Sequence, residues 1–468
     1  MTKNCLILMP YGSEVRQFGH SGMIDNLINH GWHIIGAAEI VDADLANQLD
    51  PRVELIPLIH EPTPRILYRI RKLLDRSHQI FETKQGKSKW NYAPEKSNSF
   101  RVMISNKIFE LCARLVSHAP LFYKKLIKFE QYLEKCKISK RWLALLIERK
   151  IDSVIVNIPR SEILDPALIA AQELGIPRLL FYHTIKDIAA NGRIIHSFSS
   201  IGVWNSWMKN ELIRQNTSTL DPSVIHIAGC AHFDCVGRND FLLSEDKFRK
   251  IIGANPTSRL LLFPASTPWV VPDEGRYIKL LVNAIKDGIL PKDIQIVIRT
   301  NPMDLSEYIS ANFDNCPNVL IQKADWRMEN NRSWNFQRRN DIVVYNSLLH
   351  YSSLCIGIPS TVTIECAISC LPVINLGFDL PGPVPLPGSM KAFWNADFYQ
   401  DEVRYGVASL SESENDLISK INIALVTDKP KPQDYESFLS NILGILPPLS
   451  ANKYFELIDH IVTNQCLQ

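Results

Sequence analysis

Long apolar runs are missing from this sequence of 468 residues. No stretch approaches the roughly 18 consecutive apolar residues of a membrane-spanning helix, so none is expected. The apolar run at 5–9 is too short for the core of a secretory signal. Charge of one sign is missing too: 51 Lys and Arg stand against 49 Asp and Glu, a formal net charge of +2. That balance predicts no nucleic-acid partner and leaves electrostatic targeting to local patches. The ten cysteines lack zinc-site spacing. With no export signal they read as reduced thiols in the cytosol. Cys230, His232 and Cys235 come nearest to a metal set, and read better as small buried side chains. Short internal repeats are absent as well. What remains is the composition of a folded α/β protein, with 46% hydrophobic and 21% charged residues. At roughly 100–200 residues per domain, the length points to two large domains.

The run at 5–9, closed by Pro10-Tyr11-Gly12, fits a buried parallel strand. Met23, Ile24, Leu27 and Ile28 then share a helix face, His30-Gly31 ends it, and 32–37 reads as a second strand. Residues 60–150 break this rhythm. They are basic and rich in helix formers, with amphipathic tracts at 64–76 and 121–141 and a polar stretch at 84–99 that reads as a mobile loop. Strands return at 152–157, 177–182, 200–204 and 224–228, with a helix at 166–174. After a charged helix at 244–252, further strands are expected at 260–263, 294–298, 319–321, 341–344, 355–358 and 372–376. The pattern predicts two doubly wound, Rossmann-like α/β domains. The first spans 1–240 with a basic helical insertion around 60–150, and the second spans 241–450. The helical segment 451–468 is expected to pack back on the first.

Ligands of open parallel sheets bind beyond the carboxyl ends of the strands. After 355–358 come Ser360, Thr361 and, one turn on, Glu365. Hydroxyls at a helix start cap free amides, and the same amides and dipole can hold a phosphate. A carboxylate one turn in can accept bonds from ribose hydroxyls. The plain alternative is an ordinary cap with a solvated glutamate. After 294–298, Arg299 offers a fixed-charge fork for phosphate, and Asn301-Pro302 follows as a turn into a helix. After 260–263, Ser266 and Thr267 are candidate phosphate ligands, with Trp269 able to close over a ring. After the first strand, Gly12, Gly19 and Gly22 permit close backbone approach, without a dinucleotide fingerprint. His20 among them has the pKa range of a general base, and His183 follows another strand end. Asp42-Ala43-Asp44 is a short D-x-D in a loop. No P-loop, nucleophile elbow or H-E-x-x-H occurs. The basic tracts are either solvated helix faces or an attachment to an anionic membrane surface. In the second reading Lys and Arg meet lipid phosphates while apolar neighbours dip inward.

Three segments carry a family resemblance. Ile227-Ala-Gly-Cys-Ala-His-Phe-Asp234 is similar to a G-N-P-x-x-D segment, and Arg299-Thr-Asn-Pro-Met-Asp304 to R-x-H-P-x-D. Cys355-Ile-Gly-Ile-Pro-Ser-Thr-Val-Thr-Ile-Glu365, with Leu371-Pro-Val-Ile374, is similar to a donor-binding segment that ends in G-x-P-V-I. Together they resemble the GT-B glycosyltransferase superfamily. More narrowly they resemble bacterial surface-polysaccharide transferases of the CDP-glycerol glycerophosphotransferase-like, Kdo-transferase-like and sialyltransferase-like kinds. The resemblance implies two Rossmann-like domains facing each other across a cleft. It implies transfer of a sugar from a nucleotide-activated donor to a cell-surface polysaccharide or lipid-linked acceptor, with no metal and no bound cofactor. Ser360, Thr361 and Glu365 would hold phosphate and ribose. Arg299 and Asn301, with Ser266 and Thr267, would meet the diphosphate or sugar. His20 would take the acceptor proton, with Gly19, Ser21 and His183 on the acceptor side. Asn301 departs from the family's His, Cys355 from its Asp, and Cys230 and Ala231 from its Asn and Pro. A nucleotide-sugar 2-epimerase-like enzyme on the same fold, or a non-catalytic scaffold subunit, are the alternatives. The expected setting is the cytoplasm, peripheral at the inner face of the membrane.

Overall fold

The computed structural model describes residues 2–82, 100–136, 138–188, 192–217, 219–266, 271, 274–303, 312–313, 315–329, 334–382, 389–390 and 397–465. The chain divides into two units. One is Met1–His232 with Leu443–Ile445 and Leu449–Gln468, and the other is Phe233–Ile442 with Leu446–Pro448. The stretch at 84–99, expected as a mobile loop, lies outside the described residues.

The first unit is built on seven parallel strands. These are β1 (Lys3–Met9), β2 (Trp32–Ala38), β3 (Glu54–Pro57), β4 (Ser153–Val156), β5 (Arg178–Phe181), β6 (Ser200–Val203) and β7 (Ile225–Ile227). Their order is β3-β2-β1-β4-β5-β6-β7. β1 pairs along its whole length with β2, from Lys3↔Trp32 to Met9↔Ala38, and through Cys5↔Ser153 with β4. Residues 5–9 are shut off from water entirely. An uninterrupted apolar run is what a parallel strand covered on both faces requires. The order reverses between β1 and β4, which makes their carboxyl ends the switch point of this sheet. The insertion forms the helices Arg65–Glu82, Phe100–Ser117, Pro120–Lys135 and Lys140–Glu148, the first three packed on one another. The helix Ser450–Gln465 packs on the helix Met23–Asn29, and its Tyr454 ring stacks on Phe181 at 4.0 Å. Gly229 has φ 71°, and a Cβ there would lie 2.3 Å from Ser450 Oγ, so only glycine fits.

The second unit holds β8 (Arg259–Pro264), β9 (Ile294–Arg299), β10 (Val319–Gln322), β13 (Leu354–Gly357), β14 (Val373–Leu376) and β15 (Ala408–Ser411). They run parallel in the order β10-β9-β8-β13-β14-β15, while β11 (Trp326–Met328) and β12 (Asn335–Gln337) form a separate antiparallel pair. Alternate residues feed a core on each face of the sheet. Leu261, Phe263, Ile296 and Ile298 join one apolar cluster; Leu260, Leu262 and Val297 join the other. Here the switch point falls between β8 and β13.

One expected strand is corrected. Residues 341–344 open the helix Arg339–Tyr351. Ile342, Tyr345, Leu348 and Leu349 are buried at helical spacing, and that periodicity overrides the β-branched run Ile342-Val343-Val344. The loop expected after β1 also contains a wide, π-type helical turn at Val15–His20. No helix among the described residues is long and apolar enough to cross a membrane.

Candidate functional site

In the second unit, β13 runs through Ile358 and Pro359 into the helix Thr361–Ile368. Ser360 caps that helix in extended conformation, its Oγ accepting from Val362 N at 3.3 Å. The helix start therefore sits at the switch point, with Thr361 exposed. First-turn amides and the positive end of the helix dipole suit an anion there. Glu365, one turn in, is 5% exposed, and its Oε2 accepts from the Tyr345 hydroxyl at 2.7 Å.

The Tyr345 ring lies 5.3 Å from the Arg299 guanidinium carbon. Arg299 ends β9 and turns its fork onto Asp341, with Nη1 to Oδ1 at 2.8 Å and Nη2 to Oδ2 at 2.5 Å. Asp341 also accepts from Asp325 N at 3.0 Å and Gln337 Nε2 at 2.9 Å. Burial alone would raise the Asp341 carboxyl, but Arg299 and these donors hold it below the usual carboxylate range. Asp341, Arg299, Tyr345 and Glu365 thus form one buried chain of contacts behind the helix start. Beneath it, Asn375 on β14 donates to Glu402 Oε2 at 2.9 Å. Burial pushes Glu402 up to about 8, against the bonds from Thr363 and Asn375 that lower it.

In the first unit, β1 turns at Gly12 (φ 87°) and brings Glu14 to a position closed to solvent. Gly12 N donates to Glu14 Oε2 at 2.8 Å. Burial pushes this carboxyl up to about 7, opposed by backbone N–H groups of the turn and the Ser13 hydroxyl. Gln17 Nε2 donates to Phe181 O at 3.0 Å, and Gln17 Oε1 accepts from Asn157 Nδ2 at 3.2 Å. Asn157 Nδ2 also donates to Ser13 Oγ at 3.0 Å. One amide network therefore ties the ends of β1, β4 and β5 across the switch point. The π-type turn that carries Gln17 is a device often found at functional sites. His183, after β5, meets the His232 ring edge-on at 5.1 Å. Its Nδ1 is closed to solvent, with no hydrogen-bond partner among the described residues. Burial and the nearby Arg16 lower His183 to about 4, so it is neutral at pH 7. Arg16 Nε donates to His232 O at 3.1 Å.

Several residues expected at a site are engaged within their own unit. The Arg299 fork, expected to meet phosphate, is engaged by Asp341. Ser266 N and Oγ both donate to Glu274 Oε2, at 2.7 and 3.0 Å. Asn301 Oδ1 accepts from Met303 N at 2.9 Å, closing a local turn. Ser21 Oγ donates to Gln17 O at 2.8 Å and accepts from Met23 N at 3.2 Å, a local cap. A Cβ on Gly19 would lie 2.6 Å from Leu49 Cδ2, so the glycine serves packing. His20 closes the π-type turn and is buried. Asp42 caps a short helix through Leu45 N at 2.9 Å. Thr267, Trp269 and Asp304 lie outside the described residues. Among the described residues, no group of three or more His, Cys, Asp or Glu side chains could hold a metal ion. Glu14, Gln17 and Asn157 escape sequence reasoning because each is a lone polar residue. The one available signal is a carboxylate two residues beyond a glycine turn at a strand end.

No family model and no curated protein matches the sequence. Solved structures match its shape. A UDP-GlcNAc 2-epimerase from Methanocaldococcus jannaschii is 13% identical with a TM-score of 0.56, over 98% of this chain and 99% of that one. The S. aureus MnaA–UDP co-structure is 9% identical with a TM-score of 0.50, over 99% and 97%. A glycosyltransferase from Rickettsia africae ESF-5 is 14% identical with a TM-score of 0.50, over 99% of each chain. At such identities the likeness shows the fold, two Rossmann-like units of the GT-B type. The three transferase kinds named from the short motifs are finer than this likeness reaches.

Proposed function

We propose that this chain is an enzyme acting on a nucleotide-activated sugar, and that its chemistry inverts a carbon centre of that sugar rather than passing the sugar to an acceptor. Short motifs favour transfer; the likeness of whole folds favours epimerisation. The observation that carries the reading is the end-to-end likeness to a UDP-GlcNAc 2-epimerase. Local chemistry supports it in each unit. In the second, Thr361 and the first-turn amides suit a phosphate, and Glu365, oriented by Tyr345, suits ribose hydroxyls. In the first, burial pushes Glu14, in the turn after β1, up to about 7, while His183, after β5, is held neutral at pH 7. Inversion of a C–H centre needs one group to take a proton and another to return one, and Glu14, poised near pH 7, suits the first of these roles.

The test is to incubate the full chain with UDP-GlcNAc in D2O and follow the sugar by NMR. Epimerisation puts solvent deuterium on the inverted carbon and gives a second sugar, and Glu14→Gln abolishes both. UDP at about 100 times its dissociation constant should stabilise the chain by about 2.7 kcal/mol, and Glu365→Ala should remove that gain. Transfer to a glycan or lipid-linked acceptor is the second reading. The Rickettsia africae glycosyltransferase and the lysine-rich helix Pro120–Lys135 favour it. It gives no deuterium exchange, and it releases UDP only when an acceptor is added. Absence of any UDP stabilisation leaves the scaffold reading.

A further inference from the structure

The helices Phe100–Ser117 and Pro120–Lys135 of the first unit have their carboxylates paired within the fold, while lysines of the second helix face outward. Among residues 104–136 the carboxylates are Glu110, Glu130 and Glu134. Each is taken by an arginine from outside these two helices: Glu110 by Arg76 at 2.8 Å, Glu130 by Arg193 at 2.8 Å, and Glu134 by Arg71 at 2.5 Å. Lys124, Lys125 and Lys128 are exposed, and no ion pair among the described residues engages them. The same two helices expose large apolar side chains. Ile104, Ile108, Leu111 and Leu115 recur along one face of the helix Phe100–Ser117, each 41–63% exposed. Past the short link at 118–119, Leu121 is 79% and Phe122 52% exposed at the start of the helix Pro120–Lys135.

We propose that this corner, where the helix Phe100–Ser117 gives way to the helix Pro120–Lys135, docks on an anionic lipid bilayer. Charge decides between the possible occupants. A second copy related by a twofold axis would set this face against itself, bringing lysines onto lysines while Glu110, Glu130 and Glu134 are already held by arginines. An anionic bilayer offers phosphates to Lys124, Lys125 and Lys128, and an acyl boundary to Leu121 and Phe122. The helices lie on the surface, since no described helix is long and apolar enough to cross it. In the other basic tract, at 64–76, Arg65, Arg69 and Lys72 are exposed while the remaining two cations serve as scaffold. Its Arg71 and Arg76 are buried, and they hold Asp165, Glu134 and Glu110. The inference goes beyond the nucleotide-sugar reading and does not rest on it.

The test is flotation of the full chain with vesicles of phosphatidylcholine alone, or with roughly a third phosphatidylglycerol, at about 0.05 M and about 0.5 M salt. The chain is expected to float with the anionic vesicles at low salt, to stay behind with the neutral ones, and to be released at high salt. K124Q/K125Q/K128Q should lower partitioning by roughly fivefold per lysine, and L121S/F122S should lower it too. Both should keep the wild-type circular dichroism and melting temperature. K279Q/K286Q, which changes exposed lysines of the second unit, should float like wild type. Failure of the wild type to float with anionic vesicles would overturn the inference. So would flotation indifferent to lipid charge, or corner variants that float as well as wild type. A dimer lost in L121S/F122S, without vesicle binding, would assign the face to a second copy instead.

Discussion

Glu402→Gln should make the second unit more stable, and only where the carboxyl would otherwise ionise. Glu402 lies in the helix Asp397–Arg404, buried against Asn375 of β14, which donates to it at 2.9 Å. Burial pushes its carboxyl from the ordinary 4.5 up to about 8, despite Thr363 and Asn375. The unfolded chain surrenders this proton near 4.5, while the folded one keeps it. Between those values the unfolded state binds fewer protons, so stability is full below about 4.5 and is lost as pH rises toward about 8. At pH 7 that is roughly 2.5 pH units at about 1.36 kcal/mol each, or about 3 kcal/mol. Glutamine keeps an acceptor for Asn375 and offers an N–H to Thr363, with nothing to ionise. The variant should therefore gain about 3 kcal/mol near pH 7–8 and converge with wild type near pH 4.5. Urea unfolding across this range, scored by hydrogen exchange in peptides from β13 and β14, reads the second unit alone. No gain at pH 8, or the same gain at pH 5 as at pH 8, would refute the reasoning.

Asp341→Asn should cost the second unit about 3–5 kcal/mol by leaving the buried Arg299 charge unpaired, measured by urea unfolding. The double variant Arg299→Met with Asp341→Leu should cost less, because no charge is left behind. Initial rates of sugar conversion should fall as pH drops through about 7, where Glu14 takes up its proton and ceases to be a base. Glu14→Gln should remove that limb along with the activity, and a limb that survives the change would assign the titration to another group. Gly229→Ala should lower the melting temperature through a loss of at least about 1 kcal/mol. It forces a Cβ onto φ 71° and into Ser450. Relief by Ser450→Ala would show that the contact, rather than the backbone angle, sets the cost.

Rules that act within a few residues made much of this fold legible. The run at 5–9 reads as a covered strand because both faces of β1 are packed, and the structure extends it only to Lys3–Met9. Ser360 reads as a cap because a hydroxyl between an apolar strand and a helix has one obvious use, and it makes that bond. The helix Arg339–Tyr351 was illegible for a physical reason. Its first turn carries Ile342, Val343 and Val344, good strand formers. What anchors it is Asp341 meeting Arg299 from 42 residues away. The amide network at β1 and β4 was hidden in the same way, since Asn157 and Gln17 are 140 residues apart.

The basic tracts show where such reading must stop. By composition 64–76 and 121–141 are alike, both amphipathic and rich in Lys and Arg. In the fold Arg71 and Arg76 part company with the exposed cations of both tracts, because an arginine that finds a buried carboxylate is no longer available to a phosphate. Arg71 lies against Asp165, Glu134 and Glu130, and Arg76 against Glu110. These partners come from other helices, so no window along the chain contains the information. With those carboxylates taken, no ion pair among the described residues engages Lys124, Lys125 and Lys128, and their charge faces outward. The same logic binds the Arg299 fork to Asp341 in the second unit, and the helix start at Thr361 is the proposed place for an anion. In both units the groups open to a ligand are those left over after the chain has satisfied its own buried charges. That remainder can be computed only from pairs the fold brings together.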